Sequence, residues 1–263
     1  HDGRPVIRQG SEKFLWLYAI LFHYSFLVVL LWHLRFFMEP VRIPINEGEN
    51  GAELITRVLG NGNYTNTGIV DDAFYLAGVK DNGPEEADIP QYIMDAVNAA
   101  GGTVTGRADQ EFLAEFDYYS TSGWMYTVNS QSLNFGLSDY IPQDGDVLRL
   151  QFTVYGYGAD LGYGNNKLID TADKDDLYMK AAQVNSSEDK LAMLADPVYK
   201  GYFDAALLIL QDLQAGQEQV DAALADLNTP PGSGTDPGKA TVMVKDVVER
   251  KWTTSVGSSE PCL

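Results

Sequence analysis

Apolar and polar positions divide the chain into stretches of different texture. From Phe14 to Leu34, twenty-one residues pass without Asp, Glu, Lys or Arg. As a helix that run would reach ~32 Å, enough to cross a bilayer. Trp16 and Tyr18 lie near one end and Trp32 near the other, as interfacial aromatics do. Arg4, Arg8 and Lys13 precede the run, and Arg35 and Arg42 follow it. The pattern predicts one membrane helix over 14–38, with the N-terminus cytoplasmic and the body exported.

After Pro40 the periodicity changes. A short helix is expected over Ala52–Leu59, then a loop rich in Gly and Asn. Ile89, Ile93, Met94, Val97 and Ala100 recur at the helical period, and Gly101 closes them. "SGWMYTVNS" (Ser122–Ser130) alternates as a strand entered by a glycine turn. "DGDVLRLQFTVYG" alternates more strongly. Leu148, Leu150, Phe152 and Val154 share one face, and Arg149, Gln151 and Thr153 the other, which predicts a half-buried strand. The fold class is α+β, with an antiparallel sheet and one or two helices over 42–165. Apolar stripes then predict a helical bundle over 166–228. Asp173 is the expected cap of its first helix, Ser186 with Asp189 of its second, Pro197 begins or kinks the third, and Gly216 ends the third. "NTPPGSGTDPG" opens a linker and tail over 229–263.

Charge narrows the function. The chain carries −19, of which residues 43–263 hold −21 and the first forty-two +2. A body this acidic repels nucleic acid and anionic lipid. The one cysteine, Cys262, excludes an intrachain disulfide and any Cys-based metal cluster. No histidine follows His33, so Ser-His and Cys-His dyads are unavailable, and no catalytic residue or enzyme activity is expected. Asp71-Asp72 and Asp144/Asp146 lack any EF-hand spacing, so no metal site is predicted. "GYGADLGYG" has glycines without the Lys-Ser/Thr of a phosphate loop.

His23 and His33 stand out within the apolar run. Ten helical residues give ~15 Å of rise and a turn about 80° short of three full ones. The two imidazoles therefore cannot share one metal ion. They can serve two stacked haems, or be packed histidines of a simple anchor.

Three resemblances follow from particular motifs. "RQGSEKFLWLYAILFHYSFLVVLLWHLRFFMEPV" (Arg8–Val41) resembles a helix of the membrane cytochrome b subunit of the sulfite-reduction-associated electron-transfer complex, of the M/gamma type. That resemblance implies haem b ligation by His23 and His33, with partner histidines supplied from elsewhere. Ser122, Gly123, Trp124, Met125, Tyr126, Val128, Asn129, Gly136, Tyr140, Asp144, Gly145 and Asp146 resemble the transcobalamin C-terminal-like domain of bacterial surface proteins, where Ser130 stands in place of the usual glycine. It implies a β-grasp-like sheet over 42–165 and a corrinoid as the ligand to test. Trp124, Tyr126, Asn129 and Tyr140 are the candidate ligand-binding residues, with strand packing as the alternative for the aromatics. "GQEQVDAALADL" resembles the last helix of FIVAR-type modules.

Two functions stay open. One is a membrane-anchored or secreted surface binding module without a cofactor, bacterial and extracellular, taking a small molecule or a protein partner. The other is a haem b-ligating fragment of a respiratory complex. A further possibility is that head and body have different origins, since the change at Val41–Arg42 is abrupt.

Overall fold

The structure is a computed structural model that describes residues 24–31, 35–81, 89–109 and 111–233. His23, His33 and Cys262 lie outside those residues, as does most of the tail.

Among the described residues, two sheets and six α-helices form around two cores. The larger sheet contains β1 (Tyr24–Leu31), β2 (Arg35–Pro44), β6 (Gly123–Val128), β7 (Gln131–Ser132) and β8 (Val147–Thr153), in the order β2-β1-β8-β6-β7. β1 pairs antiparallel with β2 and parallel with β8, while β6 runs antiparallel to β8. The smaller sheet is antiparallel, in the order β3 (Tyr64–Ile69), β4 (Asp72–Lys80), β5 (Phe112–Ala114). The α+β class is therefore present, with one parallel pairing at the centre of the larger sheet.

The membrane helix expected over 14–38 is corrected wherever the structure describes it. Residues 24–31 and 35–38 are strand, and among the described residues no helix is long and apolar enough to cross a membrane. A short apolar run rich in Val, Phe and Tyr suits a buried strand as well as a helix. Here its backbone is hydrogen-bonded on both sides, by β2 and β8. β2 also runs straight through Val41–Arg42. The stretch expected as a Gly/Asn-rich loop is largely the β3–β4 hairpin.

α1 (Gly51–Leu59) starts on a capping box, in which Asn50 accepts from the Glu53 amide and Glu53 accepts from the Asn50 amide. Its Gly51 and Ala52 amides donate to the carbonyls of Tyr140 and Leu137, so a distant loop satisfies the first turn. Leu54 and Ile55 of α1, with Ile93 and Val97 of α2 (Gln91–Ala99), pack into the first core against Leu148, Leu150 and Phe152. Each such fully buried side chain is worth about 1.5–3 kcal/mol.

β8 is not half-buried: all seven of its residues are buried. The helices α3 (Asp175–Asn185), α4 (Lys190–Leu194), α5 (Pro197–Gln211) and α6 (Gln217–Leu227) form a second core, and Val147 belongs to it. α3 lies on the sheet. Asn185 donates to the Pro40 carbonyl and Ser186 accepts from the Arg42 amide, which covers the outer edge of β2. The N-cap of α3 is Lys174, without a side-chain cap bond, and not the expected Asp173, which accepts from the Asp175 amide instead. Pro197 opens α5 behind an Asp196 cap, whereas Gly216 begins α6 instead of ending α5. The buried Lys174 ammonium donates to the carbonyls of Ile209 and Asp212, neutralising the C-terminal end of α5. Burial pulls that ammonium down to about 8.

The polar face of β8 is paired within the protein. The Arg149 guanidinium lies 5.5 Å from the Tyr178 ring centre and donates to Ser130 Oγ at 3.0 Å. Tyr163 donates to Gln151. Thr153 donates to Asp160, which also accepts from the Val154 amide at 2.8 Å. Asp160 is fully buried, and burial raises its carboxyl to about 6 from an ordinary 3.8. The folded state thus holds this proton more tightly than the unfolded chain. That stabilising increment is complete below about pH 4 and is lost as pH rises through about 6, to a total of roughly 3 kcal/mol. The wild type should therefore lose stability relative to Asp160→Asn between pH 4 and pH 7. Paired thermal melts across that range check this, and a pH-independent difference would count against it.

Candidate functional site

Two of the four residues expected to bind ligand, Asn129 and Tyr140, converge on a residue of the same motif that was not among them, Asp146, and a third, Tyr126, lies beside Tyr140. The Asp146 carboxylate accepts from Tyr140 Oη at 2.5 Å, from Asn129 Nδ2 at 2.9 Å and from the Gln143 amide at 2.8 Å. Asn129 Oδ1 in turn accepts from the Val147 amide. The Tyr126 ring lies 6.4 Å from that of Tyr140, and its hydroxyl donates to the Phe135 carbonyl. Burial, with Asp139 nearby, raises the Tyr126 phenol to about 12; burial and the Asp146 bond raise Tyr140 further. Gly145 sits at φ 87, where a side chain would be strained. Tyr140 also packs so closely on α1 that a Cβ on Gly51 would meet its ring at 2.7 Å. This motif ties the 129–146 loop to α1 and β8.

The fourth residue, Trp124, stands apart in the first core. It is 7% exposed, its Nε1 donates to the Leu113 carbonyl, and its ring meets Phe37 and Phe152 edge-on at 5.6 and 5.5 Å. Ser130, where the resemblance has glycine, has a positive φ of 61 beside Asn129 at φ 50. Two such residues are what the tight hairpin between β6 and β7 requires. The strain has a use here, because Ser130 Oγ accepts from Arg149 and donates to Asp173. It thereby joins this hairpin to the helical bundle.

Open space lies elsewhere. A cleft of about 440 Å³ is bounded by α1 and the start of β3, with Asn46, Glu49, Glu53, Arg57, Asn61 and Tyr64 among its walls. Arg57 and Glu49 are joined by two bonds, Nε–Oε1 at 2.6 Å and Nη2–Oε2 at 2.8 Å. Glu49 also accepts from the Asn46 amide. Burial pushes the Glu49 carboxyl up, but Arg57 and Asn46 outweigh it and hold the group below its ordinary value. The cleft is therefore a rigid polar bowl with Glu47 and Asn61 exposed at its rim. No alternating pattern marks it, because its walls come from loops and from the outer side of α1. Among the described residues no three of His, Cys, Asp and Glu converge as a metal site would need.

Residues 91–154, from α2 to the end of β8, match a family described as a domain of unknown function (DUF4430), which is linked to transcobalamin-like domains. The match contains Trp124, Tyr126, Asn129 and Tyr140 and excludes the cleft. Two proteins share a short stretch with the chain, and each is described as an Hdr-like menaquinol oxidoreductase cytochrome b-like subunit. The Archaeoglobus fulgidus protein is 54% identical over 35 residues, covering 13% of this chain and 10% of that protein. The Archaeoglobus profundus protein is 66% identical over 44 residues, covering 15% and 13% respectively.

Two substitutions separate packing from display in this region. Trp124→Ala should cost about 3–5 kcal/mol, since it empties a core site. Tyr140→Phe should cost about 1–3 kcal/mol by leaving Asp146 short of a buried donor. Denaturant unfolding measures both, and a neutral Trp124→Ala would remove that ring from the core.

Proposed function

We propose that the described body is a non-catalytic binding module whose ligand enters the cleft beside α1. The observation that carries this reading is how the polar groups are spent. Asp117, Asp146 and Asp160 are buried and hold loop amides and hydroxyls, and of the charged groups lining the cleft Glu49 and Arg57 are paired and Glu53 caps α1, which leaves only the exposed Glu47. The wall of the open polar hollow is fixed in the same way by Glu49, which accepts from the Asn46 amide and from Arg57, so little ordering remains to be done on binding. The β-grasp-like reading is supported by the larger sheet, with its central parallel pair β1–β8 flanked by antiparallel strands. A corrinoid is the first ligand to test, on the strength of the transcobalamin-like resemblance alone.

The second reading is favoured by one observation, the two relatives whose names include cytochrome b-like. In it the apolar head, with His23 and His33, serves a haem b-bearing subunit in a membrane. The two readings compete for the same backbone. Residues 24–31 either complete the sheet between β2 and β8 or lie in a lipid-facing helix, and one chain does not do both at once.

Purified full chain decides between them. Binding-module behaviour predicts saturable heat with cyanocobalamin that Asn61→Trp, filling the cleft, abolishes. Unchanged heat in Asn61→Trp would move the site out of the cleft. A stoichiometric Soret band lost in His23→Ala and His33→Ala would instead establish the haem reading.

A further inference from the structure

Two exposed tyrosines and a carboxylate meet at the junction of β4, the turn after β5 and the loop after β8. Tyr75 is 40% exposed and donates to Glu115 Oε2 at 2.8 Å. Tyr157 is 71% exposed, and the residues on either side of it sit against the chain around Gly123: the Gly156 amide donates to Thr121 at 2.9 Å, and a Cβ on Gly158 would meet Met125 Sδ at 2.6 Å. Phe116, 62% exposed, follows Glu115 directly. Beneath them lies Gly123, where an added Cβ would come within 3.4 Å of the Tyr75 hydroxyl and 3.7 Å of the Glu115 Cβ. None of these residues lines the cleft beside α1.

Exposed aromatic rings cost free energy, and these are held out at further cost. Phe116 has φ 68 and Tyr157 has φ 53, in the left-handed region that bulky residues avoid. Both turns are pinned from below. Asp117 accepts from the Ala108 and Ala114 amides, and the Phe116 amide donates to the Ser122 carbonyl. Tyr155 stacks on Tyr119 at 5.8 Å, the Gly156 amide donates to Thr121, and the Gly158 amide donates to Thr153. A rigid support keeps the rings displayed instead of letting them fold onto the core.

Charge selects the occupant. The rings present negative π faces, the adjoining carboxylate is negative, and residues 43–263 carry −21. Anions are repelled by that charge. We propose that Tyr75, Tyr157 and Glu115, with Phe116 at the rim, bind a small soluble organic cation through an alkylated ammonium head. The rings take its methyl groups and charge by cation–π contact, and Glu115 supplies the counter-charge.

Titration of the full chain with choline chloride tests this, with 3,3-dimethyl-1-butanol as the uncharged isostere, read by calorimetry and by saturation-transfer NMR on the choline methyls. Choline should bind saturably and more weakly as salt is raised, and the isostere should not bind. Tyr157→Gly and Phe116→Gly keep the backbone in a conformation natural to glycine, so both should fold. Tyr157→Gly should weaken choline by at least about tenfold. Glu115→Gln keeps an acceptor for Tyr75 but removes the charge, and should also weaken choline. Equal binding of the isostere, undiminished choline binding in Tyr157→Gly, or capture of a lysine-rich peptide without choline binding would each overturn the proposal.

Discussion

Burial of β8 on both faces is the constraint from which most of this structure follows. One face, Leu148, Leu150 and Phe152, enters a hydrocarbon core. The other carries Arg149, Gln151 and Thr153, and it is covered too. A covered guanidinium must find partners or cost several kcal/mol. Tyr178, Ser130 and, more distantly, Asp175 at 3.9 Å supply them. Those three groups belong to α3 and to the β6–β7 hairpin, so satisfying one cation fixes how the helical bundle sits on the sheet.

The same economy governs the loops. Asp117, Asp146 and Asp160 are all buried acceptors, and each holds backbone amides that no strand or helix would satisfy. Buried carboxylates are costly, but once bonded several times they make irregular backbone rigid. The result is an acidic protein whose interior acids are structural. Asp117 and Asp160 fasten the turns that display Phe116 and Tyr157, and buried Glu49 fastens the wall of the cleft by accepting from the Asn46 amide.

At the N-terminal end, one stretch of sequence satisfies two physical environments. Residues 24–31 are apolar enough for lipid and β-branched enough for a sheet centre. In this fold their amides and carbonyls are engaged by β2 on one side and β8 on the other. Without them, β8 would present an unpaired edge in the middle of a buried layer.

The sequence by itself determined what depends on neighbours a few residues apart. α1, α2 and the strands around Trp124 and Leu150 are legible because periodicity and capping are local. The transcobalamin-like motif was legible as well, and two of its residues, Asn129 and Tyr140, meet at a third, Asp146. Tertiary structure alone decided the rest. Alternation in β8 showed which residues face opposite ways, but not that a helix would cover the polar side, because polarity reports a need for partners and not whether water or protein supplies them. The apolar run at 24–31 could not reveal its state, since a buried strand and a membrane helix share the same lack of charge. Tyr75, Glu115 and Tyr157 carry no common motif. Tyr75 and Glu115 meet over Gly123, and Tyr157 is brought beside them by the Gly156–Thr121 bond; a contact of that kind is set by how a strand and two loops far apart in sequence fold back on one another, not by any local pattern.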